Sequence, residues 1–386
     1  MPILATKEYC TGCTACASIC PKGSIEMEAD ENGFLYPVIN VERCVDCGLC
    51  EKSCPVINPL ETPKNEPLAY AAYSKDDAVR TESSSGGVFT ELAKVMLAEK
   101  GTVFGAAYNQ QFEVVHICVE NEDGLKHLRG AKYAQSNLQG VFSEAKRRLD
   151  YGQKVLFSGT PCQVGGLKTY LKKDYLNLIT VDFVCHSVPS PMAWRQYVKY
   201  RAQKDNAGRL PLAINLRSKK TGWSRYQYSN LFEYENGVEQ SAKSGESIYM
   251  KLFVNGYINR TSCENCHFKG YKRVSDITLG DFWGIWDVMP EMDDNRGTSV
   301  VLIHSSNGAE LFDRAMGAGI VRPVTLEQAS SQNRAILISS IGNCYREEAL
   351  NSIRNGDFEK CEEMFYLKKA TFMTKIKGKI KTLFLC

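Results

Sequence analysis

The chain has 386 residues, more than the roughly 250 to 300 at which one hydrophobic core stops growing, so we expect two or more folding units. It is 44% apolar and 24% charged, as globular proteins are, and its formal net charge of +3 gives no reason to expect a nucleic-acid partner. No apolar run reaches the roughly 18 to 20 residues that span a bilayer, and the start MPILATKEYC does not resemble a signal peptide, which predicts a cytoplasmic protein without a transmembrane segment.

The first unit contains a cysteine repeat. The run C-x2-C-x2-C-x3-C-P at Cys10–Pro21 recurs with the same gaps at Cys44–Pro55. Disulfide scaffolds are usually short and secreted, so in this long chain the regular gaps favour metal ligation. Between the two runs, SIEMEA and FLYPVIN flank the turn signal at 30–33 and predict a hairpin that covers the metal sites.

This run is typical of bacterial ferredoxins that hold two 4Fe–4S clusters, in which the fourth cysteine of each run ligates the other cluster. Zinc also accepts four thiolates, but its motifs usually supply paired knuckles. We therefore predict a two-cluster electron-transfer domain at 1–57 and a linker at 58–67. The first cluster is assigned Cys10, Cys13, Cys16 and Cys54, and the second Cys44, Cys47, Cys50 and Cys20.

From residue 68 onward, apolar strands alternate with helical segments. The segments TVFGAAYN, FEVVHICVE, KVLFSG and LNLITVDFVC predict strands, and GGVFTELAKVMLAEKG, Leu138–Leu149 and the residues after Pro161 predict helices. Residues 216–249 have poor periodicity and predict irregular or antiparallel hairpin structure, and the chain after Arg322 predicts helix. The fold class is thus α+β, or mixed α/β, with a large domain at 68–345 that is subdivided near 150.

A helical basic tail is predicted at 346–386. Lysines alternate with apolar residues near its end, in FYLKKATFMTKIKGKIKTLFLC. This pattern indicates either a surface or partly disordered helix, or a peripheral contact with a membrane surface or partner.

Four more cysteines predict a third 4Fe–4S cluster in the large domain. They are Cys162, Cys185, Cys263 and Cys266. The first two follow strands, so in a parallel sheet both would lie at its carboxyl edge, where α/β proteins gather ligands. Buried structural cysteines, and a zinc knuckle or redox dithiol for the C-x2-C pair, are the alternatives. With three clusters of about −2 each, the net charge would fall to roughly −3.

The remaining cysteines and histidines are weaker signals. Core packing or plain exposure explains Cys118, Cys344, Cys361 and Cys386. His186 and His267 directly follow predicted ligands and are candidates for supporting hydrogen bonds.

Clusters move single electrons, so an enzyme that uses them usually also holds a flavin, which handles both single electrons and pairs. Ser83–Gly87 precede a predicted helix, where bared amides can bind phosphate, although an ordinary cap is the alternative. The turn in GTPCQVGG repeats this arrangement, and Lys132 could pair with a phosphate or the flavin ring. The Rossmann spacing G-x-G-x-x-G is absent, so no such dinucleotide fold is predicted.

The segments SSGG, GAKYAQS, GTPCQ, FVCHSVPS, CENC and SDITLGDFWG resemble the coenzyme F420 hydrogenase/dehydrogenase beta-subunit family over about 68–320. The resemblance implies FAD and a 4Fe–4S cluster that pass electrons to or from a two-electron partner. It implies flavin contacts from Ser85, Gly86, Gly87, Lys132, Thr160 and Gln163. It also implies cluster ligation by the four large-domain cysteines, with Asp281 nearby, and it leaves the substrate open.

We therefore predict an iron–sulfur flavoprotein oxidoreductase. Its predicted partners are a redox protein or ferredoxin and a deazaflavin, nicotinamide or organic substrate. The alternative is a non-catalytic electron-transfer subunit that docks a separate catalytic protein. A radical enzyme is disfavoured because the motif C-x3-C-x2-C does not occur.

Overall fold

The structure is a computed structural model that describes residues 1–364. Its strands are β1 (Ile25–Ala29), β2 (Leu35–Ile39), β3 (Leu68–Tyr73), β4 (Thr102–Tyr108), β5 (Val114–Val119), β6 (Val155–Ser158), β7 (Leu178–Phe183), β8 (Ala213–Ser218), β9 (Ser229–Glu233), β10 (Glu239–Lys243), β11 (Ile277–Asp281), β12 (Ser299–Ile303) and β13 (Ile320–Val324). Its helices are α1 (Ala15–Ile19), α2 (Leu49–Lys52), α3 (Asp77–Glu82), α4 (Val88–Ala98), α5 (Glu122–Leu128), α6 (Val141–Asp150), α7 (Pro161–Leu171), α8 (Pro191–Asn206), α9 (Ile248–Val254), α10 (Ile285–Val288), α11 (Ser306–Met316), α12 (Leu326–Ser330) and α13 (Arg346–Arg354).

The first unit is the predicted hairpin with one short helix on each side of it. Strands β1 and β2 pair antiparallel from Ile25 opposite Ile39 to Ala29 opposite Leu35. The Asp30 carboxylate accepts from the amides of Asn32 and Phe34 and so closes the turn. The mixed α/β fold with a small ferredoxin-type domain ahead of a larger one is confirmed.

The large domain is built on an eight-stranded sheet in the order β13-β3-β12-β11-β7-β6-β4-β5. Its centre is parallel: β4 pairs with β6, β6 with β7 and β7 with β11, all in the same direction. Near-continuous apolar sequence suits these strands because helices cover both faces of the sheet. The carboxyl ends of β6, β7 and β11 therefore lie at one edge, as predicted for the first two.

The predicted irregular segment forms a second, smaller sheet. Strands β8, β9 and β10 are antiparallel neighbours, with a register shift between Asn215 and Ser218. This sheet packs on α8 and α9 around a core rich in aromatic side chains, among them the buried Trp194, Tyr197 and Tyr249. Burial of such side chains stabilises each by roughly 1.5–3 kcal/mol relative to exposure.

The end of the described chain belongs to this same core. Residues 358–364 are helical, and Phe358, Cys361 and Met364 pack beside α13 against α8. Residues 331–345 contain no α-helix, so the chain after Arg322 is less helical than predicted. The predicted basic amphipathic stretch lies beyond residue 364, outside the described residues. Within residues 1–364, no helix has the length and apolar character needed to cross a bilayer.

Candidate functional site

The two cysteine runs fold alike because each makes the same pair of left-handed turns. Gly12 and Thr14 have φ values of 68° and 68°, and the equivalent Asp46 and Gly48 have 50° and 69°. Such turns direct successive amide N–H groups to one side, where they can meet anionic sulfur. The sequence repeat is thus also a repeat of backbone conformation.

The cysteines predicted for the first cluster surround one cavity. Cys10, Cys13, Cys16 and Cys54 line a cavity that is partly open to solvent, together with apolar side chains such as Met27 and Val56. Burial raises the pKa of Cys13 well above its usual value and that of Cys16 to about 12, and the neighbouring cysteines add to both shifts. Ionisation of these four buried thiols is costly unless a cation is present. Their arrangement therefore suits a cationic iron core that would replace their protons.

The second predicted set lies at the outer end of the module. Cys50 is buried and Cys47 is exposed. Burial raises the pKa of Cys50, and the nearby Cys20 adds to that rise, as Cys54 does to the rise in the pKa of Cys16. Cys20 and Cys54 are therefore each placed near a cysteine of the other run. The crossed ligation itself stays a prediction. The Ser24 hydroxyl and amide lie 3.0 and 3.3 Å from Cys20 Sγ.

The four large-domain cysteines also come together. Cys162 is the second residue of α7, Cys185 follows β7, Cys263 ends a 3-10 turn and Cys266 follows it. Burial raises the pKa of Cys162 to about 11 and that of Cys263 to about 12, and mutual repulsion among the four thiols contributes to these shifts and to that of Cys185. In residues 1–364, no three His, Cys, Asp or Glu side chains lie close enough together to hold a single metal ion.

Hydrogen bonds with Lys269 and with two serines near the end of the described chain support this third set. The Cys266 amide donates to Ser339 Oγ at 3.1 Å, and Ser340 Oγ donates to the Cys263 carbonyl at 3.3 Å. Lys269 Nζ donates to the Cys185 carbonyl at 2.5 Å. No sequence pattern predicts the serine contacts, because the serines lie about 75 residues from the C-x2-C pair.

Helix α7 is also the surface on which the ferredoxin module rests. A Cβ atom at Gly166 would lie 2.8 Å from Cys13 Sγ, and one at Gly165 would lie 2.8 Å from Phe268 and 3.5 Å from Pro55. Gly165 and Gly166, the last two glycines of GTPCQVGG, lie inside the helix that is predicted after Pro161. They bring the cavity around Cys13 next to the helix that carries Cys162.

The side chains implied for the flavin lie in two groups. Thr160 and Gln163 form a capping box at the start of α7, and Gln163 Nε2 donates to Ser136 Oγ at 2.9 Å. Lys132, in the same segment as Ser136, donates to the carbonyls of His127 at 2.9 Å, Arg129 at 2.7 Å and Gly130 at 3.3 Å. Burial lowers the pKa of Lys132 to about 7.

The second group is the loop before α4. Ser85 Oγ donates to the Thr298 carbonyl, and the Gly86 amide donates to Ser299 Oγ, so these groups are used within the fold. Gly87 is the residue just before α4 and has a φ of 88°, and no side chain caps that helix. The glycines therefore precede a helix as predicted, but the Gly86 amide points into the protein.

Arg217 contacts residues next to both groups of implied flavin contacts. It is buried, donates to Asp281 in bidentate fashion at 2.6 and 2.9 Å, and also reaches the Ser84 carbonyl at 3.2 Å and the Tyr133 hydroxyl at 3.4 Å. Asp281, which the resemblance implied to be near the third cluster, is thus the ion-pair partner of an arginine that the sequence did not single out. A lone arginine in LRS gives no sequence signal.

Two groups of cysteines that meet at one helix, with a ferredoxin repeat on the outside, define an iron–sulfur electron-transfer protein. The comparisons agree. The model of the 4Fe–4S dicluster domain matches residues 9–58. The models of the N-terminal and C-terminal parts of the coenzyme F420 hydrogenase/dehydrogenase beta subunit match residues 69–143 and 152–329. The chain belongs to this beta-subunit family and carries an N-terminal ferredoxin domain with iron–sulfur clusters.

The relatives are distant. The coenzyme F420-dependent sulfite reductase of Methanocaldococcus jannaschii is 29% identical over 41% of this chain, and the chain spans 24% of that protein's length. An uncharacterized protein of the same organism is 24% identical over 81% of this chain and 88% of its own length. A chain of the F420-reducing [NiFe] hydrogenase complex from Methanosarcina barkeri is 16% identical over 79% of this chain and 94% of that chain, with a TM-score of 0.46.

Proposed function

We propose that the protein is an iron–sulfur flavoprotein oxidoreductase that passes electrons between its ferredoxin domain and a two-electron partner. One observation carries this proposal: the large-domain cysteines converge at the start of α7, and Cys13 of the ferredoxin domain packs on the same helix at Gly166. A ferredoxin domain alone would need no such second cysteine site.

The proposed ligands follow the three sets. Cys10, Cys13, Cys16 and Cys54 hold the inner ferredoxin cluster. Cys20, Cys44, Cys47 and Cys50 hold the outer one. Cys162, Cys185, Cys263 and Cys266 hold a third. When bound, the clusters supply one-electron transfer and FAD couples it to electron pairs.

The proposed flavin contacts are Ser85, Gly86, Gly87, Lys132, Thr160 and Gln163. Thr160 and Gln163 share a capping box beside Cys162, and Gln163 donates to Ser136. Lys132 lies four residues before Ser136 in the same segment. The loop before α4 contributes the uncapped amides at the start of that helix, where the helix dipole favours a phosphate. The Gly86 amide is already bonded to Ser299, so the proposed contact of Gly86 with the flavin is one of close packing and not a hydrogen bond.

The two-electron partner is proposed by class. The related sulfite reductase is described as dependent on coenzyme F420, which makes that deazaflavin the first partner to test. A nicotinamide or an organic substrate would use the same flavin chemistry. A redox protein or ferredoxin would exchange single electrons with the outer site, where Cys47 is exposed.

Protein purified without air tests this proposal. We expect about twelve irons and twelve acid-labile sulfides per chain, with about one FAD. The Cys263→Ser variant should fall to about eight irons, whereas Cys344→Ser, which changes an exposed cysteine outside the three sets, should keep about twelve. About eight irons in all three proteins would refute the third cluster, and no FAD even after its addition would refute the flavoprotein assignment.

A second candidate is a non-catalytic electron-transfer subunit that docks a separate catalytic protein. The observation that favours it is a set of exposed apolar side chains on the ferredoxin domain: Ile3, Val41 and Val45 are 79%, 59% and 58% exposed. Purified protein should distinguish the two candidates. Reduction of an artificial acceptor by a soluble electron-pair donor, with this chain alone, would exclude the docking-only function.

A further inference from the structure

Arg260 is a buried cation between the ferredoxin domain and the large domain. Its side chain is 1% exposed. Its Nε donates to the Cys10 carbonyl at 2.8 Å, and its two terminal nitrogens donate to Gln135 Oε1 at 2.7 Å and to the Leu35 carbonyl at 3.0 Å. The guanidinium also lies 4.2 Å from the centre of the Tyr36 ring.

These partners are all neutral. Among residues 1–364, no carboxylate forms an ion pair with Arg260, in contrast to the buried Arg217 and Arg273, which pair with aspartates. A charge taken out of water without a counter-ion costs several kcal/mol, and an amide, two carbonyls and an aromatic ring offset only part of that cost. Within residues 1–364, the positive charge of Arg260 therefore has no negatively charged partner.

The cysteines of the inner ferredoxin site and of the large-domain site lie on the two sides of Arg260, and as thiolates they can supply this negative charge. Arg260 holds the carbonyl of Cys10, and it begins the turn that ends at Cys263. Its charge opposes the rise that burial causes in the pKa of Cys162 and Cys263. Gly12 is close as well, since a Cβ atom there would lie 3.0 Å from an Arg260 nitrogen and 2.6 Å from Gln135 Nε2.

We propose that Arg260 is the shared counter-charge of the inner ferredoxin site and the large-domain site, and that it favours an electron on these two sites over the outer one. This inference rests on the proposed function. One electron leaves the outer site, which becomes oxidised, and reduces an inner site, and no proton or bond change is required. Arg260 stabilises the added negative charge because it is close, fixed by three hydrogen bonds and shielded from water.

The experiment is an anaerobic potentiometric titration followed by electron paramagnetic resonance. Cys54→Ser and Cys263→Ser, each expected to lack one inner cluster, assign the signals. We expect Arg260→Gln and Gln135→Glu to lower the potentials of both inner clusters and to leave the outer one unchanged. Gln135→Glu keeps the arginine and places a carboxylate against it. The partition of an electron toward the inner sites should fall about tenfold, which is about 59 mV for a one-electron couple.

The matched control is Gln153→Glu, which also places a carboxylate beside an arginine, Arg148, but on α6 away from the three cysteine sets. Unchanged inner potentials in Arg260→Gln and Gln135→Glu, with full iron content, would overturn the proposal. If Arg260→Gln loses iron, the potentials of the Gln135→Glu variant test the proposal instead. Loss of the inner clusters from both variants would show that Arg260 is needed for cluster assembly, and would also overturn the proposal. A wild-type protein with only eight irons would refute the third cluster. In that protein, a shift in the potential of the inner ferredoxin cluster would still support the role of Arg260 as its counter-charge.

Discussion

Gly166 lies so close to Cys13 that a Cβ atom on it would stand 2.8 Å from the Cys13 sulfur and 2.8 Å from its Cβ atom. We predict that Gly166→Ala weakens the docking of the ferredoxin domain on α7. Alanine gains up to about 1 kcal/mol of helix propensity, but overpacking of a rigid contact costs about 1–3 kcal/mol, so the net effect is a loss. Iron content should fall, and the domain boundary should become more sensitive to limited proteolysis in the linker.

Gly245→Ala is the control, because a Cβ atom at Gly245 meets no neighbour within 4 Å. It should leave iron content and proteolysis unchanged. If Gly166→Ala behaves as Gly245→Ala does, then the contact between Cys13 and α7 is looser than described and does not fix the ferredoxin domain.

The features that the sequence predicts are those set by a local pattern or by the direction of the strands. The cysteine repeat is local, and it predicts the ferredoxin domain and the hairpin that the structure contains. It also predicts crossed ligation by Cys20 and Cys54, which stays a prediction. The sheet edge that carries Cys162 and Cys185 was predictable because parallel strands share a direction. The roles of Arg260 and of the two glycines of α7 were not predictable, since they arise from contacts between residues about 100 to 250 positions apart in the chain. The sequence predicts a helix around this glycine pair, but it does not show which residues pack against that helix.

A pair of double variants tests the crossed ligation. If Cys10 and Cys54 serve the same cluster, the double variant Cys10→Ser with Cys54→Ser should lose only about four of about twelve irons. Cys10→Ser with Cys20→Ser should lose about eight, since it damages both ferredoxin clusters. Iron and sulfide analysis of the anaerobic proteins measures this.

The two double variants carry the same number of substitutions, so each controls for general damage to the domain. The reverse result, with the larger loss in the Cys10 and Cys54 pair, would show that each run holds its own cluster. Equal losses of about eight would show only that the domain fails to assemble when two cysteines are missing, and would contradict the expected retention of one ferredoxin cluster.

The ion pair between Arg217 and Asp281 predicts a large effect on stability. Arg217 and Asp281 are 4% and 15% exposed, so removal of one partner leaves the other as a nearly buried charge. We expect Asp281→Leu to lower the free energy of unfolding by about 3–5 kcal/mol. The double variant Arg217→Met with Asp281→Leu should lose less, because no unpaired charge remains. Anaerobic urea denaturation measures both.

Glu239→Gln, at the exposed pair of Lys220 and Glu239, is the matched control and should cost less than about 1 kcal/mol. A double variant that is as unstable as Asp281→Leu alone would contradict the argument. It would show that the packing of these side chains among Trp223, Tyr228 and Trp283, and not their charge, holds this part of the domain.

Lys132 allows a pH test of the flavin site. Its ammonium group donates to three carbonyls at the end of α5, and burial lowers its pKa to about 7. If it also faces a flavin phosphate, the site attracts that anion when Lys132 is protonated, below about pH 7, and loses the attraction as pH rises. We expect FAD affinity to be higher at about pH 6 than at about pH 8, and Lys132→Met to bind FAD roughly ten- to a hundredfold more weakly at pH 6.

Lys154→Met is the control, since Lys154 is about half exposed and pairs with Glu99 on the surface. Burial also lowers the pKa of Lys219 to about 7, so the decisive quantity is the difference between wild type and Lys132→Met at each pH. That difference should shrink from pH 6 to pH 8, because the wild-type protein loses the charge that the variant never had. If Lys132→Met keeps full FAD affinity at both pH values and only unfolds at a lower temperature, Lys132 serves to cap α5, and the phosphate contact must come from the start of α4.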